Sequence, residues 1–371
     1  MSSSRPWSIR LLGTAVVVQL LAGLVAAGAV DRRGPGEPAS AVTAVRGDDR
    51  RVVTVPTTEA VPLGPVPVPL GGCPPPPVHR PPGPPGPAPW HPAVLVPESR
   101  LPAAPEPVPA SADLGPLEGK GMWVWKYGQT EKGDARAIVA RAVATGLHQL
   151  WVRVGDSRDG FYAGDVLGPL VSRAHAAGLA VIGWGFPYLW DPVADAAWSA
   201  DALAWRTPGG EALDGFSPDV ESSTEGVVLT DTRARVYLGL VRRSALGRLV
   251  VATVYRPTDR AWASYPYGAM APYVDAFAPM VYWGCTEPGA AAAEALGRLS
   301  ALRPVHLIGQ GYDMADDGGR AGPPDAAETA RFLDVARRGG ALGASFWVWQ
   351  SIDDVQWGAL ATYPWQPVAH R

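Results

Sequence analysis

An alternation of strand-like and helix-like patterns between Gly121 and Trp365 limits the folds that this chain can adopt. Short apolar runs predict strands over residues 122–126, 149–154, 180–186, 216–221, 249–255, 276–282, 305–310 and 344–349. Longer helical patterns predict helices over residues 135–145, 166–177, 192–205, 230–246, 261–274, 289–302, 326–338 and 353–360. Eight strands and eight helices in strict alternation predict an α/β fold, a single (β/α)8 TIM barrel.

An open doubly wound sheet is the alternative arrangement of alternating strands and helices. Such a sheet is expected to carry a glycine-rich phosphate loop after its first strand. Here the first strand runs into Lys126-Tyr127-Gly128-Gln129-Thr130, which has neither a G-x-G-x-x-G nor a Walker pattern. The sequence therefore favours the barrel.

The first thirty residues resemble a targeting segment rather than part of the fold. Arg5 and Arg10 precede an uncharged run over 11–30, and the small residues 27–29 fit an A-x-A cleavage site. A run of about 20 residues is also long enough to span a bilayer. We expect residues 1–30 to be a signal peptide or a signal-anchor. The protein is then secreted or anchored at the bacterial cell surface, with membrane contact only through this segment.

Residues 31–118 are dominated by proline. Of the 40 prolines in the chain, 24 lie between residues 35 and 116. Because proline lacks the backbone N–H donor, such a segment forms neither helix nor central strand and is expected to be disordered polyproline II and coil. It is either a spacer that crosses a cell wall or an unselected low-complexity tail. Only residues 119–371 are then predicted to fold, as one barrel domain.

Composition excludes several classes of protein and leaves the cysteines open. A net charge of −3 argues against nucleic-acid binding. The six histidines are scattered without an H-x-x-x-H pair, so we expect no bound metal. We also expect no cofactor, and we expect the protein to be a monomer. Cys73 and Cys285 either pair, as an exported protein allows, or are two free thiols. Asp313, Asp316 and Asp317 form an acidic loop, and solvation explains it better than Ca²⁺ binding.

Candidate functional residues follow from the rule that barrel sites lie at the carboxyl ends of the strands. Those ends carry the side chains of Trp125, Arg153, Trp184, Trp283, Asp313 and Trp349. Carboxylates among many aromatic rings indicate a carbohydrate-binding cleft. Each residue also has a structural interpretation. The tryptophans could close the barrel mouth, Arg153 could pair with an internal carboxylate, and Asp156 and Asp191 could cap the helices that follow them.

Asp219 and Glu221 form the strongest chemical pattern in the chain. Side chains alternate along a strand, so Ser217, Asp219 and Glu221 are predicted to point into the barrel, with Phe216, Pro218 and Val220 turned toward the helices. Two buried carboxylates on one face raise the pKa of at least one of them. A raised carboxyl pKa is the property that a general acid needs near neutral pH.

The segment Asp214-Gly215-Phe216-Ser217-Pro218-Asp219-Val220-Glu221 resembles D-G-x-D-x-D-x-E, the fourth-strand signature of chitinase-type glycoside hydrolases. The resemblance implies that Glu221 is the general acid and that Asp219 orients the N-acetyl group of the substrate, which acts as nucleophile. The segment Met280-Val281-Tyr282 resembles the sixth-strand M-x-Y motif of that family, and the run 344–349 resembles its eighth strand, which ends in a sugar-stacking tryptophan. The D-x-E pair is also similar to that of the lysozyme-like muramidases.

The resemblance implies a polysaccharide substrate that contains N-acetylhexosamine, such as peptidoglycan or a chitin-like glycan. Glu221, Asp219 and Tyr282 are the expected catalytic residues. Trp125, Trp184, Trp283, Trp349, Asp313 and Arg153 are the expected substrate-binding residues. Ser217 replaces the middle Asp of the motif, and Pro218 removes a ladder donor and predicts a bulge. Two alternatives follow: a degenerate barrel that binds cell-wall glycan without cleaving it, and cleavage of an unacetylated glycan with Asp313 or Asp156 as second carboxylate.

Overall fold

The structure is a computed structural model that describes residue 73 and residues 95–108 and 113–365. The predictions for residues 1–30 and for most of residues 31–118 lie outside the described residues. Within the described part, no helix is both long and apolar enough to cross a bilayer.

Eight parallel strands close into a barrel with helices between them. The strands in chain order are β1 (Gly119–Val124), β2 (Gln149–Asp156), β3 (Gly160–Phe161), β4 (Ala180–Phe186), β5 (Gly215–Pro218), β6 (Leu249–Tyr255), β7 (Ala276–Val281), β8 (Leu307–Gln310) and β9 (Gly343–Trp347). All but the two-residue strand β3 belong to the barrel. The helices are α1 (Ala135–Ala144), α2 (Gly164–Ala176), α3 (Pro192–Ala204), α4 (Asp231–Ser244), α5 (Asp259–Ser264), α6 (Tyr267–Met270), α7 (Pro288–Leu299), α8 (Ala326–Arg338) and α9 (Asp354–Thr362). Strand β1 pairs with both β2 and β9, which closes the sheet and confirms the predicted (β/α)8 barrel.

Two hydrophobic layers hold the barrel together. The inner layer fills the barrel and includes Trp123, Trp151 and Trp184, which come from three neighbouring strands. The outer layer lies between strands and helices and includes Phe216 and Val220. Because each barrel strand is covered by an apolar layer on both faces, its inward and outward side chains are both apolar. This explains why the strands are continuous apolar runs in the sequence.

Several element bounds differ from the predicted ones for local reasons. The predicted helix over 261–274 is divided into α5 and α6, because Pro266 cannot donate the hydrogen bond that a continuous helix needs. The short strand β3, which was not predicted, pairs antiparallel with the end of β2. Strand β9 ends at Trp347, two residues before the predicted end.

Strand β5 carries the D-x-E segment and ends at Pro218. Gly215 pairs with Leu249 of β6, and Asp219 bridges to Thr253 with the same offset, so the strand does not bulge at Pro218 as predicted. The Asp219 amide donates to the Gly185 carbonyl at 2.9 Å, which continues the β4 pairing beyond the proline. The path of the chain therefore stays strand-like up to the carboxylates.

The segment that precedes the barrel contacts it at two places, near Leu117 and near Val96. Leu117 precedes β1, and its carbonyl oxygen lies 2.9 Å from Nδ1 of buried His306. Farther upstream, the Val96 amide donates to the Trp190 carbonyl at 3.0 Å, and the Arg233 guanidinium donates to the Val96 carbonyl. Residues 95–108 thus pack on the barrel although they belong to the proline-rich part of the sequence.

A disulfide joins Cys73 to Cys285, with the two Cα atoms 5.7 Å apart. Of the two alternatives for these cysteines, the structure has the paired one. Cys285 lies in the loop between β7 and α7, at the carboxyl end of the barrel. The bond therefore holds Cys73, a residue of the proline-rich segment, at the end of the barrel where sites are found.

Candidate functional site

A cavity of about 210 Å³ opens at the carboxyl ends of the barrel strands. It is lined by Trp123, Trp125, Asp219, Glu221, Thr253, Met280, Tyr282, Ile308, Tyr312, Asp317, Trp347, Val348 and Ser351. Four of the predicted site residues meet in it: Trp125, Asp219, Glu221 and Tyr282. The rest of the lining comes from strands β1, β6, β7, β8 and β9 and from the loops that follow them.

Asp219 and Glu221 project into this cavity from the end of β5, as the strand alternation predicts. Asp219 is only 6% exposed. One buried oxygen of each carboxyl group, Oδ1 of Asp219 and Oε2 of Glu221, has no hydrogen-bond partner among the described residues. Buried carboxyl oxygens without partners are costly, so they indicate a site that a ligand completes.

The environment of the pair favours protonated carboxyl groups. Burial raises the pKa of Asp219 to about 7, with the positive charge of Arg153 acting to lower it and the charge of Glu225 to raise it. Burial also raises the pKa of Glu221 well above its usual value, and the nearby charges of Asp219 and Glu225 raise it further. A carboxyl group that keeps its proton near neutral pH is equipped to act as a general acid.

Glu225 is a third carboxylate near this pair, and sequence reasoning did not identify it. Its Oε2 accepts hydrogen bonds from the Tyr255 hydroxyl at 2.6 Å, the Ser222 hydroxyl at 2.9 Å and the Ser222 amide at 3.2 Å. The Ser222-x-x-Glu225 spacing is that of a capping box. This spacing is the one feature of the sequence that could have drawn attention to Glu225.

Tyr282 and Tyr312 form one wall of the cavity. Their rings meet edge to face at 5.6 Å. Burial raises the pKa of Tyr282 well above its usual value, so the hydroxyl stays protonated and remains a hydrogen-bond donor at physiological pH. Tyr312 in turn hydrogen-bonds to Asp317, another residue that lines the cavity.

Tryptophans form the floor of the cavity. Trp347 lies 5.8 Å from Trp123 and 6.0 Å from Trp125, measured between ring centroids. Trp123 stacks on Trp151 at 4.9 Å, and its indole N–H donates to the Ser345 hydroxyl at 2.8 Å. The peptide bond between Trp347 and Val348 is cis. The floor is therefore a packed set of rings that presents flat apolar surface to the cavity.

Three predicted tryptophans lie outside the cavity. Trp184 is buried in the barrel, where its ring contacts that of Trp347 at 5.3 Å. Trp283 packs against Phe332 in the outer layer, because it follows Tyr282 and alternation turns it away from the barrel axis. Trp349 is also in the outer layer, with its ring against Trp357. The tryptophan of the last strand that reaches the cavity is Trp347.

The predicted charged residues also have other partners. Arg153 pairs with Asp156 at 3.0 Å, donates to the Tyr162 hydroxyl at 2.8 Å and lies over the Trp184 ring. Asp313 is exposed and accepts a hydrogen bond from the Ala315 amide at 2.8 Å. Neither Asp156 nor Asp313 lines the cavity, so neither is placed to serve as its second carboxylate.

Of the two acidic residues interpreted as helix caps, Asp191 caps the helix that follows it and Asp156 does not. Asp191 caps α3 by accepting from the Val193 amide at 3.0 Å. Asp156 accepts from the amides of Arg158 and Asp159 in the turn between β2 and β3. In the described part of the chain, no group of three or more His, Cys, Asp or Glu residues is arranged to hold a metal ion.

Ser217, in the position of the missing middle Asp, is fully buried. Its hydroxyl donates to the Val251 carbonyl at 2.6 Å and lies 2.9 Å from the Thr253 hydroxyl, which belongs to a cavity residue. The serine therefore supplies a neutral hydrogen bond where the chitinase motif has a carboxylate. Asp219 consequently has no carboxyl neighbour on its inner side along β5.

Comparisons with known proteins support the fold and no closer relationship. No family model matches the chain, and no curated protein matches it in sequence. The C-terminal domain of a protein named as a chitinase from Desulfitobacterium hafniense superposes with a TM-score of 0.50 at 11% identity, over 66% of this chain and 98% of that one.

Two further solved structures are similar at slightly lower scores. A class V chitinase from Pseudomonas fluorescens has a TM-score of 0.48 at 14% identity, over 66% of this chain and 98% of that one. The spore cortex-lytic enzyme SleL of Bacillus megaterium has a TM-score of 0.47 at 12% identity, over 66% of this chain and 73% of that one. At these identities the likeness concerns the fold alone, which is a TIM barrel.

Proposed function

We propose that this protein is an exported glycoside hydrolase that cleaves a polysaccharide containing N-acetylhexosamine, such as peptidoglycan or a chitin-like glycan. The observation that carries the proposal is the Asp219–Glu221 pair. Both carboxyl groups line a cavity with a tryptophan floor, and both have a buried oxygen without a partner. Glycosidic cleavage is carboxylate chemistry, and flat apolar surface suits the C–H faces of sugar rings.

Glu221 acts as general acid and then as general base. Its proton moves to the glycosidic oxygen while the bond from C1 to that oxygen breaks, which leaves Glu221 as a carboxylate. The raised pKa of Glu221 keeps the proton in place until this step. A water molecule then attacks C1, and Glu221 takes the proton that the water loses.

Asp219 and Tyr282 position the reacting sugar. In a chitinase-type reaction the N-acetyl oxygen of the substrate attacks C1 as the leaving group departs. Water then attacks C1, and the bond from C1 to the N-acetyl oxygen breaks. Asp219 would accept a hydrogen bond from the N-acetyl amide N–H, and the Tyr282 hydroxyl, whose pKa is raised, would donate to the N-acetyl oxygen. Trp347 and Trp125 would stack on the sugar rings, with buried Trp123 supporting Trp347 from behind.

Export is supported by the N-terminal sequence and by the disulfide. Disulfides form and persist in oxidising compartments and are rare in the bacterial cytoplasm. The Cys73–Cys285 bond therefore agrees with the signal peptide or signal-anchor expected over residues 1–30. A cell-wall glycan is the polysaccharide nearest to a protein anchored or secreted in this way.

A second candidate function is glycan binding without cleavage. The observation that favours it is Ser217, which supplies a neutral hydroxyl where the chitinase motif has its middle carboxylate. A barrel of this kind would use the same tryptophan floor and the same cavity. It would bind a glycan without producing new reducing ends.

Hydrolysis of a glycan panel separates the two functions. The full chain is incubated with peptidoglycan, N-acetylglucosamine oligosaccharides, their deacetylated counterparts and an unacetylated glucan, and new reducing ends are measured. We expect new ends from the N-acetylated substrates and none from the deacetylated ones, since the N-acetyl oxygen is the nucleophile. Binding of a glycan without new ends would favour the second function, and hydrolysis of the glucan alone would contradict the proposed substrate.

A further inference from the structure

Asp317 is a third carboxylate of the cavity, on a loop that the D-x-E motif does not include. It lies between β8 and α8 and lines the cavity together with Asp219 and Glu221. The described residues that line the cavity include these three acids and no Lys, Arg or His. Arg153 pairs with Asp156 and Lys126 lies over the Trp125 ring, and neither of these bases lines the cavity.

Hydrogen bonds within the loop hold Asp317 in place. The amides of Asp317 and Gly319 both donate to the Met314 carbonyl at 2.9 Å. Gly318 between them has a φ of 78°, a left-handed conformation that glycine adopts without strain. Tyr312 hydrogen-bonds to Asp317 while its ring packs on Tyr282, so the carboxylate is linked to a wall of the cavity.

The loop is also fixed from outside. Gly319 packs so closely on Gly284 that a Cβ built on Gly319 would lie 3.2 Å from the Gly284 Cα. Gly284 precedes Cys285, which the disulfide joins to Cys73. On the other side, Arg320 forms an ion pair with Glu328 of α8. Asp317 is thus held at a set position, and this distinguishes it from an acidic residue at the tip of a solvated loop.

We propose that Asp317 orients the sugar in the cavity and selects against sugars that carry a carboxylate. This inference rests on one part of the proposed function, namely that the cavity binds a glycan, and it does not require cleavage. Asp317 accepts hydrogen bonds from sugar hydroxyl or amide groups, and such bonds to a charged acceptor are stronger than neutral ones. An anionic sugar would place its charge near Asp317 in a cavity without a base, where repulsion is weakly screened. Neutral N-acetylhexosamine is the ligand class that fits.

Binding to two matched oligosaccharides tests this role. One ligand is an oligomer of N-acetylglucosamine, and the other is the same oligomer with each C6 oxidised to a carboxylate, so that an acid enters the cavity in every register. Calorimetry on the full chain with Glu221→Gln measures binding without turnover. We expect the neutral oligomer to bind at least about 10-fold more tightly than the oxidised one, which corresponds to about 1.4 kcal/mol.

Adding Asp317→Asn should weaken binding of the neutral oligomer about 10-fold and bring the ratio of the two affinities close to one. Asp317→Glu keeps the charge, so it should keep the discrimination even if affinity falls. Asp316→Asn is the matched control, because Asp316 is exposed in the same loop and outside the cavity. An Asp317→Asn protein with unchanged affinity and ratio would overturn the inference alone. Failure of the parent to bind either oligomer would overturn both the inference and the proposed function.

Discussion

The Tyr255 hydroxyl donates a hydrogen bond of 2.6 Å to Oε2 of Glu225, and this pair lies beside the Asp219–Glu221 carboxyl groups. The bond and the capping-box contacts with Ser222 hold a carboxylate close to the proposed acid. The charge of Glu225 acts on both members of the pair and raises their pKa values. We therefore expect Glu225 to help Glu221 retain its proton.

Replacing Glu225 should change the pH dependence of hydrolysis. Glu225→Gln removes a negative charge that raises the pKa of Glu221, so the pKa of the acid falls. We expect the alkaline limb of the kcat/KM profile to move to lower pH. Tyr255→Phe keeps the charge of Glu225 and removes a hydrogen bond that lowers the pKa of Glu221, so it should move the limb the other way, to higher pH. A profile unchanged by Glu225→Gln would argue for a purely structural capping role.

Replacing the proposed acid should abolish cleavage and preserve binding. Glu221→Gln keeps the size and shape of the side chain but cannot donate a proton of carboxyl acidity to the leaving oxygen. General acid catalysis contributes on the order of 10²–10⁴-fold, so we expect kcat to fall by at least that much with a ligand Kd within a few-fold of the parent. Glu106→Gln, on the exposed part of the segment before the barrel, is the control. Hydrolysis at the parental rate in Glu221→Gln would exclude Glu221 as the acid.

Buried Asp219 should make the stability of the fold depend on pH. Burial raises the pKa of Asp219 in the folded state to about 7, from the usual value of 3.8. The folded state binds the additional proton between these values, so this contribution is fully present below about pH 4 and is lost as the pH rises through 7. Each unit of the difference corresponds to about 1.4 kcal/mol.

Asp219→Asn removes that titration. We expect the free energy of unfolding in urea to fall less between about pH 5 and about pH 8 in the variant than in the parent. Asp313→Asn, at an exposed position of the loop after β8, should leave the pH dependence as it is. Buried Asp195, whose pKa burial raises to about 6, should account for part of the remaining decline. Equal slopes for Asp219→Asn and the parent would show that Asp219 is ionised in the folded protein.

Two tryptophans of the last strand and its following loop should separate binding from stability. Trp347 lines the cavity, whereas Trp349 is buried in the outer layer against Trp357. We expect Trp347→Ala to weaken oligosaccharide binding at least 10-fold, since it removes part of the floor. Trp349→Ala should instead lower the free energy of unfolding by about 3–5 kcal/mol and leave the Kd of the folded protein close to that of the parent. The opposite pattern, weaker binding only in Trp349→Ala, would restore the sequence-based assignment.

The sequence predicted the barrel and the central pair because both depend on local periodicity. Strand alternation alone places Asp219 and Glu221 on the inner face, and they do line the cavity. Trp283 and Trp349 were assigned to the site from the same strand-end argument, but their faces depend on where each strand ends and how the chain turns afterwards. Trp347 reaches the cavity because β9 ends there, which no residue pattern in the sequence marks.

Glu225 and Asp317 could not be predicted for a different reason. Both lie in loops, where the direction of a side chain is set by contacts with residues distant in sequence. Glu225 meets Tyr255 of β6 across 30 positions, and the loop of Asp317 packs on Gly284. The capping-box spacing and the acidic run were visible in the sequence, but their nearness to the carboxyl pair required the closed barrel.

The disulfide offers a test that is independent of activity. Cys73 and Cys285 are 212 positions apart, so the bond restricts the unfolded chain over most of the barrel. We expect no free thiol when the purified protein is denatured without reductant, and one disulfide released by reduction. Cys73→Ser with Cys285→Ser should lower the free energy of unfolding by about 2–4 kcal/mol. Two titratable thiols in the unreduced purified protein would contradict the pairing and remove one support for the proposed export.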